Sequence, residues 1–575
     1  MRRRLSLIVL LAASLLYGCS VQTTRPGSPA VGEAGSDPEQ NYASFEPDTL
    51  YDLMVAELGG QRQRYDLALG NYLKQAHKTQ DKGVAKRAYQ IASYIGAKQA
   101  ALDAALLWSS LDSEDPIAIK ASALELMHSG EAEEAVKRMA QTLSMDPESD
   151  FELMATYAAA ASDGNKDLLL SAFSGEAKRF PDNRSLLLGK AILLHQMGRN
   201  DEALAQCDLL IRKDSEFIKA LIIKGRILNK LGRDAEAERM LADAVNRYPD
   251  RVRLRLIYAR VLVHGNKLDL AREQFEALLQ LSPNDGEIIL SLGLIAVDNN
   301  MADEAEGYFS RLLALGQKSS TANYYLGKLS EGKGLWNKAR QYYMSVTPGK
   351  EFVMSRVSLT QMLVKQGQWQ EARKLLDQSR ALYPAGAESL YMLEGEILVK
   401  REEFKDARAL FDLAVSRYPK SINLLYSRAM VFEKLDRINE TEADLREILA
   451  MQPDNAVVLN ALGYTLVDRT KRLEEAEALI KKAYSLNKED PAIIDSMGWL
   501  HYRLGKLELA QKYLEEAYNK FPDAEVAAHL GEVYWMRGDK DKARVIWKTA
   551  LQSQPGSKVV IETRQRLEKG IAVTQ

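Results

Sequence analysis

Residues 524–555 read AEVAAHLGEVYWMRGDKDKARVIWKTALQSQP. Leu530, Gly531 and Tyr534 fall at helical spacing before Gly538, and Ala543, Trp547 and Ala550 fall at helical spacing after it. Pro555 closes the stretch. The pattern predicts two short helices joined by a tight turn. Small residues let the helices approach, the glycine between them takes the turn, and proline stops the second helix before the next begins.

The same phase recurs upstream. Gly498, Gly505, Ala510, Ala517 and Pro522 repeat it, as do Gly225, Gly232, Ala237, Ala244 and Pro249. Gly293, Ala305 and Phe309 keep part of it, as do Gly327, Ala339 and Tyr343, and then Gly395, Ala407, Phe411 and Ala414. Prolines mark the register: Pro249 to Pro283 and Pro419 to Pro453 are each 34 residues apart, and Pro181 to Pro249 is two such steps. A fixed period of this length signals a repeat array, in which hairpins that cannot bury an apolar face alone stack into one continuous core.

At this spacing the unit resembles the tetratricopeptide repeat. About eleven units are in phase, and residues 48–180, with Gly130, Ala135 and Pro147, carry a degenerate version that raises the total to about fifteen. The resemblance implies an all-α solenoid, a right-handed superhelix. The expected organisation is an N-terminal degenerate section over 48–180, a regular array over 181–557, and a capping helix with a tail over 558–575. In this family an aromatic in the second helix is expected to fill the gap against the next hairpin.

The N-terminus reads MRRRLSLIVLLAASLLYGC, with three arginines ahead of an apolar run that is too short to span a bilayer and of export-signal length. Leu16-Tyr17-Gly18-Cys19 resembles the lipobox of bacterial lipoproteins. That resemblance implies a signal peptide over 1–18 and a lipid on Cys19. With Ser20 next, it implies retention at the periplasmic face of the outer membrane. Residues 19–47 are rich in Ser, Thr, Pro, Gly and Glu and read as a linker. A flexible coil of that length spans roughly 30 Å.

Composition narrows the function classes. The formal net charge is −2, and it moves near −5 once Arg2, Arg3 and Arg4 are removed with the signal. A nucleic-acid partner is therefore not expected. Cys19 and Cys207 are the two cysteines, and Cys207, mid-helix in a repeat, reads as a small buried hydrophobe. The six histidines (His77, His128, His195, His264, His501 and His529) show no metal-ligand spacing. No nucleophile elbow or phosphate loop is present. The acidic pairs Glu474-Glu475 and Glu515-Glu516 read as solvated helix faces. An enzyme is not expected, and neither is a cofactor beyond the lipid on Cys19, or a small-molecule substrate.

In tetratricopeptide arrays the first helix of each hairpin lines the groove. Carrying those positions over gives a basic group, Lys219, Arg226, Lys230, Arg253 and Arg260, suited to carboxylates. It also gives an aromatic group, Tyr464, Trp499, Tyr502 and Trp535, with Asn460 one turn before Tyr464. Lipobox, linker and full-length array together resemble the lipoprotein partner of carboxyl-terminal processing proteases in Gram-negative envelopes. The resemblance implies an adaptor that binds and activates such a periplasmic serine protease and delivers substrates, among them hydrolases of peptidoglycan cross-links. Two alternatives stand beside it: a scaffold for exopolysaccharide export or outer-membrane protein assembly, and a peptidoglycan-active enzyme on a helical frame.

Overall fold

A computed structural model describes residues 46–146, 149, 151–157 and 163–570. The signal peptide, Cys19, nearly all of the linker, Pro147 and the last five residues lie outside them. The described residues hold 31 α-helices: fifteen successive pairs from Pro47–Gln61 with Tyr65–Thr79 to Ala524–Met536 with Lys540–Ser553, then the single helix Lys558–Glu568. Among the described residues the helices begin at Pro47, and those of the degenerate N-terminal section form helix pairs too.

Local chemistry sets the helix limits. Side chains of Asp115, Asn183, Asp285, Ser421, Asn455, Asp490 and Asp523 accept from backbone N–H groups in the first turns of the helices they precede. Each supplies an acceptor to donors that have none inside the helix. Between the helices of most pairs the chain passes through a left-handed residue. Gly232 (φ 71°) and Gly538 (φ 95°) do this freely, whereas Asn266, Asn300, Glu402 and Asp436 do it with side chains.

The pairs interlock through a small-to-large match. A Cβ on Gly531 would fall within the ring of Trp547, and one on Gly395 within the ring of Phe411. Trp547 is fully buried and Phe411 nearly so. The large residue thus lies over the glycine of its own hairpin, sixteen residues upstream, and not only against the next hairpin as expected. Cys207, Leu241, Phe275, Phe309 and Tyr343 occupy this position at intervals of 34, and all are fully buried. Cys207 is a free thiol, and burial pushes its pKa up to about 12. The expectation of a small buried hydrophobe holds.

The helices group into two compact units, residues 1–317 and 318–575. In the first unit Phe151, Phe173 and Leu186 join one core with Leu221, Leu241 and Ile257. In the second, the helix Trp336–Met344 is only nine residues long. Buried Arg356 sits beneath it and donates to the carbonyls of Tyr343 (2.5 Å) and Val346 (3.2 Å). Burial holds that guanidinium down, at about 10. The next hairpin boundary contains a buried ion pair: Glu394 accepts from Arg380 Nη1 at 2.6 Å and from Arg373 Nε at 3.0 Å. Among the described residues no helix is long and apolar enough to cross a membrane.

Candidate functional site

In the second unit the first helices Ile422–Lys434, Ala456–Arg469, Pro491–Arg503 and Ala524–Met536 border a cavity of about 350 Å³. Its walls come from recurrent helix positions. The fifth residues are Tyr426, Asn460 and Asp495; the ninth are Met430 and Tyr464; the second are Val457, Ala492 and Glu525. On a 3.6-residue helix, positions two, five and nine lie along one face. Stacking in register aligns that face from hairpin to hairpin.

Tyr464, Glu525 and Asp495 of this pocket are joined into one network through His529. Tyr464 donates to Glu525 Oε1 at 2.9 Å and lies 3.3 Å from Nε2 of His529. His529 Nδ1 faces both carboxylate oxygens of Asp495 at 3.0 Å. Burial, followed by the charges of Glu525, Asp468 and Asp495, pushes the Tyr464 phenol far up, so it stays a donor. Burial pushes the His529 imidazole down, but Asp495, by charge and hydrogen bond, with Glu525 and Asp468, outweighs that and raises its pKa. Asn460 Oδ1 is buried and has no hydrogen-bond partner, an open acceptor in the pocket wall.

The predicted aromatic group divides on inspection. Tyr464 and Asn460 line the pocket. Trp499 does not offer an accessible face: it is buried, stacked on His529 (centroids 4.1 Å apart) and Tyr502 (4.8 Å), with its indole N–H toward Asp468 at 3.3 Å. Tyr502 donates to buried Glu532 at 2.8 Å, and Arg566 of the last helix donates to the same carboxylate at 2.5 Å. These contacts fasten the terminal helix to the array. Trp535 packs 5.8 Å from Trp547, with Lys540 and Arg544 over its ring. Glu515, expected on a solvated face, instead accepts from Tyr534 at 2.8 Å.

In the first unit four of the five predicted cations fall on the second and ninth positions, and Lys230 ends its helix. Lys219 and Arg253 are second residues of Ile218–Lys230 and Val252–His264, and Arg226 and Arg260 are ninth residues. Lys219 is held by Glu152 at 2.6 Å. No ion pair to a carboxylate joins Arg226, Lys230, Arg253 or Arg260 among the described residues. Partial desolvation, then repulsion from Arg260 and Arg253, lowers the pKa of Arg226. Desolvation also lowers that of Arg260, whose Nε is buried without a partner. Nearby His195 is lowered by burial and by Lys230 and Arg226.

Sequence reasoning missed Tyr426, Asp495, Glu525 and His529. The signal existed: Tyr426, Asn460 and Asp495 share one position of successive repeats. Among the described residues no three His, Cys, Asp or Glu side chains are placed to hold a metal ion.

The Tetratricopeptide repeat family model matches residues 224–286, 290–347, 361–422 and 496–558. The chain is 45% identical over 532 residues to the TPR repeat-containing protein PA4667 of Pseudomonas aeruginosa, covering 92% of this chain and 90% of that one. Among solved structures, the thermophilic TPR protein TTC0263 of Thermus thermophilus aligns at 23% identity over 32% of this chain and 98% of its own, with a TM-score of 0.29. The APC/C hetero-tetramer Cut9–Hcn1 aligns at 12% identity over 85% of this chain and 96% of its own, with a TM-score of 0.30.

Proposed function

Since the chain belongs to the tetratricopeptide-repeat proteins, scaffolds that bind other proteins, we propose that it is a lipid-anchored adaptor at the periplasmic face of the outer membrane. Its partner in this reading is a carboxyl-terminal processing serine protease, which it binds and activates, and to which it brings protein substrates such as peptidoglycan cross-link hydrolases. The catalytic serine belongs to the partner. The adaptor contributes proximity, and holding protease and substrate on one chain raises their effective concentration without new chemistry.

The observation that carries the reading is the second-unit pocket. A cavity of about 350 Å³, walled by Tyr426, Tyr464, Asp495 and Glu525 and with an unmet acceptor on Asn460, suits a segment of polypeptide with side-chain and backbone donors. The lipobox-like Leu16–Cys19 supports the anchor, and the linker after it supports reach from the membrane.

The test is a pull-down from envelope extract with the chain from Ser20 onward, companions being identified by mass spectrometry. The expected companion is a carboxyl-terminal processing protease, joined by cell-wall hydrolases when its serine is disabled. Recovery of a β-barrel or polysaccharide synthase in its place would move the scaffold to assembly or export.

A further inference from the structure

The helix Pro47–Gln61 is polar toward its own hairpin and apolar toward the outside. Two of its three acids are taken up by the following helix, Tyr65–Thr79. Asp52 accepts from Lys74 at 2.8 Å and from Gln75 at 2.6 Å, and Glu57 accepts from Tyr72 at 2.8 Å. The opposite side carries Leu50, Tyr51, Met54 and Leu58, which are 52%, 69%, 56% and 49% exposed. At 3.6 residues per turn these four fall within about 100° of arc, one stripe along the helix. Terminal repeats of a solenoid normally turn a polar face outward. The last hairpin is met by the helix Lys558–Glu568, whereas among the described residues nothing covers this stripe. An uncovered apolar surface of this kind marks an interaction site.

The stripe is symmetric in sequence about Met54. Leu50 stands four residues before it and Leu58 four after, while Glu46 stands eight before and Arg62 eight after. Two such helices, antiparallel across a two-fold axis at Met54, would set Leu50 on Leu58 of the other copy. The same axis would bring Glu46 to Arg62 of the other copy, and both contacts would occur twice. Arg62 pairs with no carboxylate of its own chain among the described residues. Glu46 meets Lys78 with one carboxylate oxygen at 3.0 Å and keeps the other for such a contact.

We propose that this face joins two copies of the chain in a symmetric dimer, helix Pro47–Gln61 against helix Pro47–Gln61. The inference goes beyond the adaptor reading and does not rest on it. A lipid surface fits the stripe less well. Helices that lie on membranes carry lysines and arginines beside the apolar face, and this one holds Asp48, Asp52 and Glu57 with no basic residue. One helix pair is smaller than a standard interface of about 800 Å² per partner, so the dimer should assemble at about 1–100 μM. A dimer presents every binding site of the array twice, which strengthens attachment to a partner that is itself multimeric.

The test is sedimentation velocity on the chain from Ser20 onward, in which buried Cys207 is the single cysteine. The parent should pass from monomer to dimer as concentration rises. Leu58→Glu should weaken association at least tenfold and leave the melting temperature unchanged, because the side chain packs on the other copy and not within its own. Arg62→Glu should weaken association as well. On oxidation Met54→Cys should form an intermolecular disulfide. Leu50→Cys should not, because its two copies would stand about 12 Å apart along the helices, beyond the roughly 7 Å that a disulfide spans between Cα atoms. Mixed with Leu58→Cys, it should. A monomer at every concentration would overturn the inference and leave the stripe to another occupant. A dimer indifferent to Leu58→Glu, or Leu50→Cys cross-linking alone as readily as Met54→Cys, would overturn it too.

Discussion

Replacing Gly531 with Ala should loosen the last hairpin, and Trp547→Phe should restore it. At Gly531 a methyl group would occupy the space of the Trp547 indole, which is fully buried and has no room to withdraw. Overpacking of this kind costs about 1–3 kcal/mol. Alanine returns about 1 kcal/mol through its better helix propensity. The net loss is then up to about 2 kcal/mol, a fall of as much as roughly 30-fold in amide protection. In a solenoid packing is mainly between adjacent repeats, so the loss should stay near the C-terminal hairpins. The chain already contains the rescuing pair, since Ala259 stands opposite fully buried Phe275 at the same repeat positions. Hydrogen exchange read by mass spectrometry should show faster exchange in Ala524–Met536 and Lys540–Ser553 for the single variant and none in Val252–His264. The double variant should lose less than the two single losses together, by about 1 kcal/mol or more. Additive losses would refute the small-to-large match as the basis of hairpin packing.

Glu394→Gln should destabilise the hairpins around it by about 3–5 kcal/mol, because Arg380 would keep a buried charge whose remaining counter-charge is the exposed Asp377 at 3.5 Å; a shift below about 1 kcal/mol in urea-induced local opening would contradict this. Cys207, buried and with its pKa raised to about 12, should react with a thiol reagent such as DTNB only as the chain unfolds, so rapid labelling of the native protein would show that the helix pair opens readily. His529 has a folded-state pKa above its unfolded value near 6.5, so the stabilisation from its contact with Asp495 is complete below that value and is lost as pH rises through the folded-state pKa. Melting temperature should fall over that interval in the parent and change less in His529→Gln; parallel profiles would exclude the pair as the cause.

The fold was legible because packing forces repetition. Gly225, Gly293, Gly395 and Gly531 must be small wherever a bulky residue of the second helix lies over them, and the period of 34 follows. The limits of the array were less legible: residues 116–179 form helix pairs although the glycine and proline marks are sparse there, since helices need only amphipathic spacing and caps such as Asp115. The site was legible by position and not by role. Tyr464, Asn460 and the four first-unit cations were found because groove positions repeat. Trp499 was misjudged because the ninth position faces the pocket at Tyr464 but is covered at Trp499, where His529 lies against the ring. A side chain from the neighbouring hairpin decides that, and its reach is not written in the period.

This division between positions explains how one architecture carries different recognition chemistry along its length. The glycine and its bulky partner are bound to each other by volume, so a change at one is resisted by the other. The second, fifth and ninth residues of the first helices meet no such constraint. In the first unit they hold Lys219, Arg253, Arg226 and Arg260, and in the second they hold Tyr426, Asn460, Asp495 and Tyr464. A face of cations and a face of phenols and carboxylates suit opposite ligands. Under the proposed scaffold function, such differing faces would let one chain receive different protein segments at different hairpins.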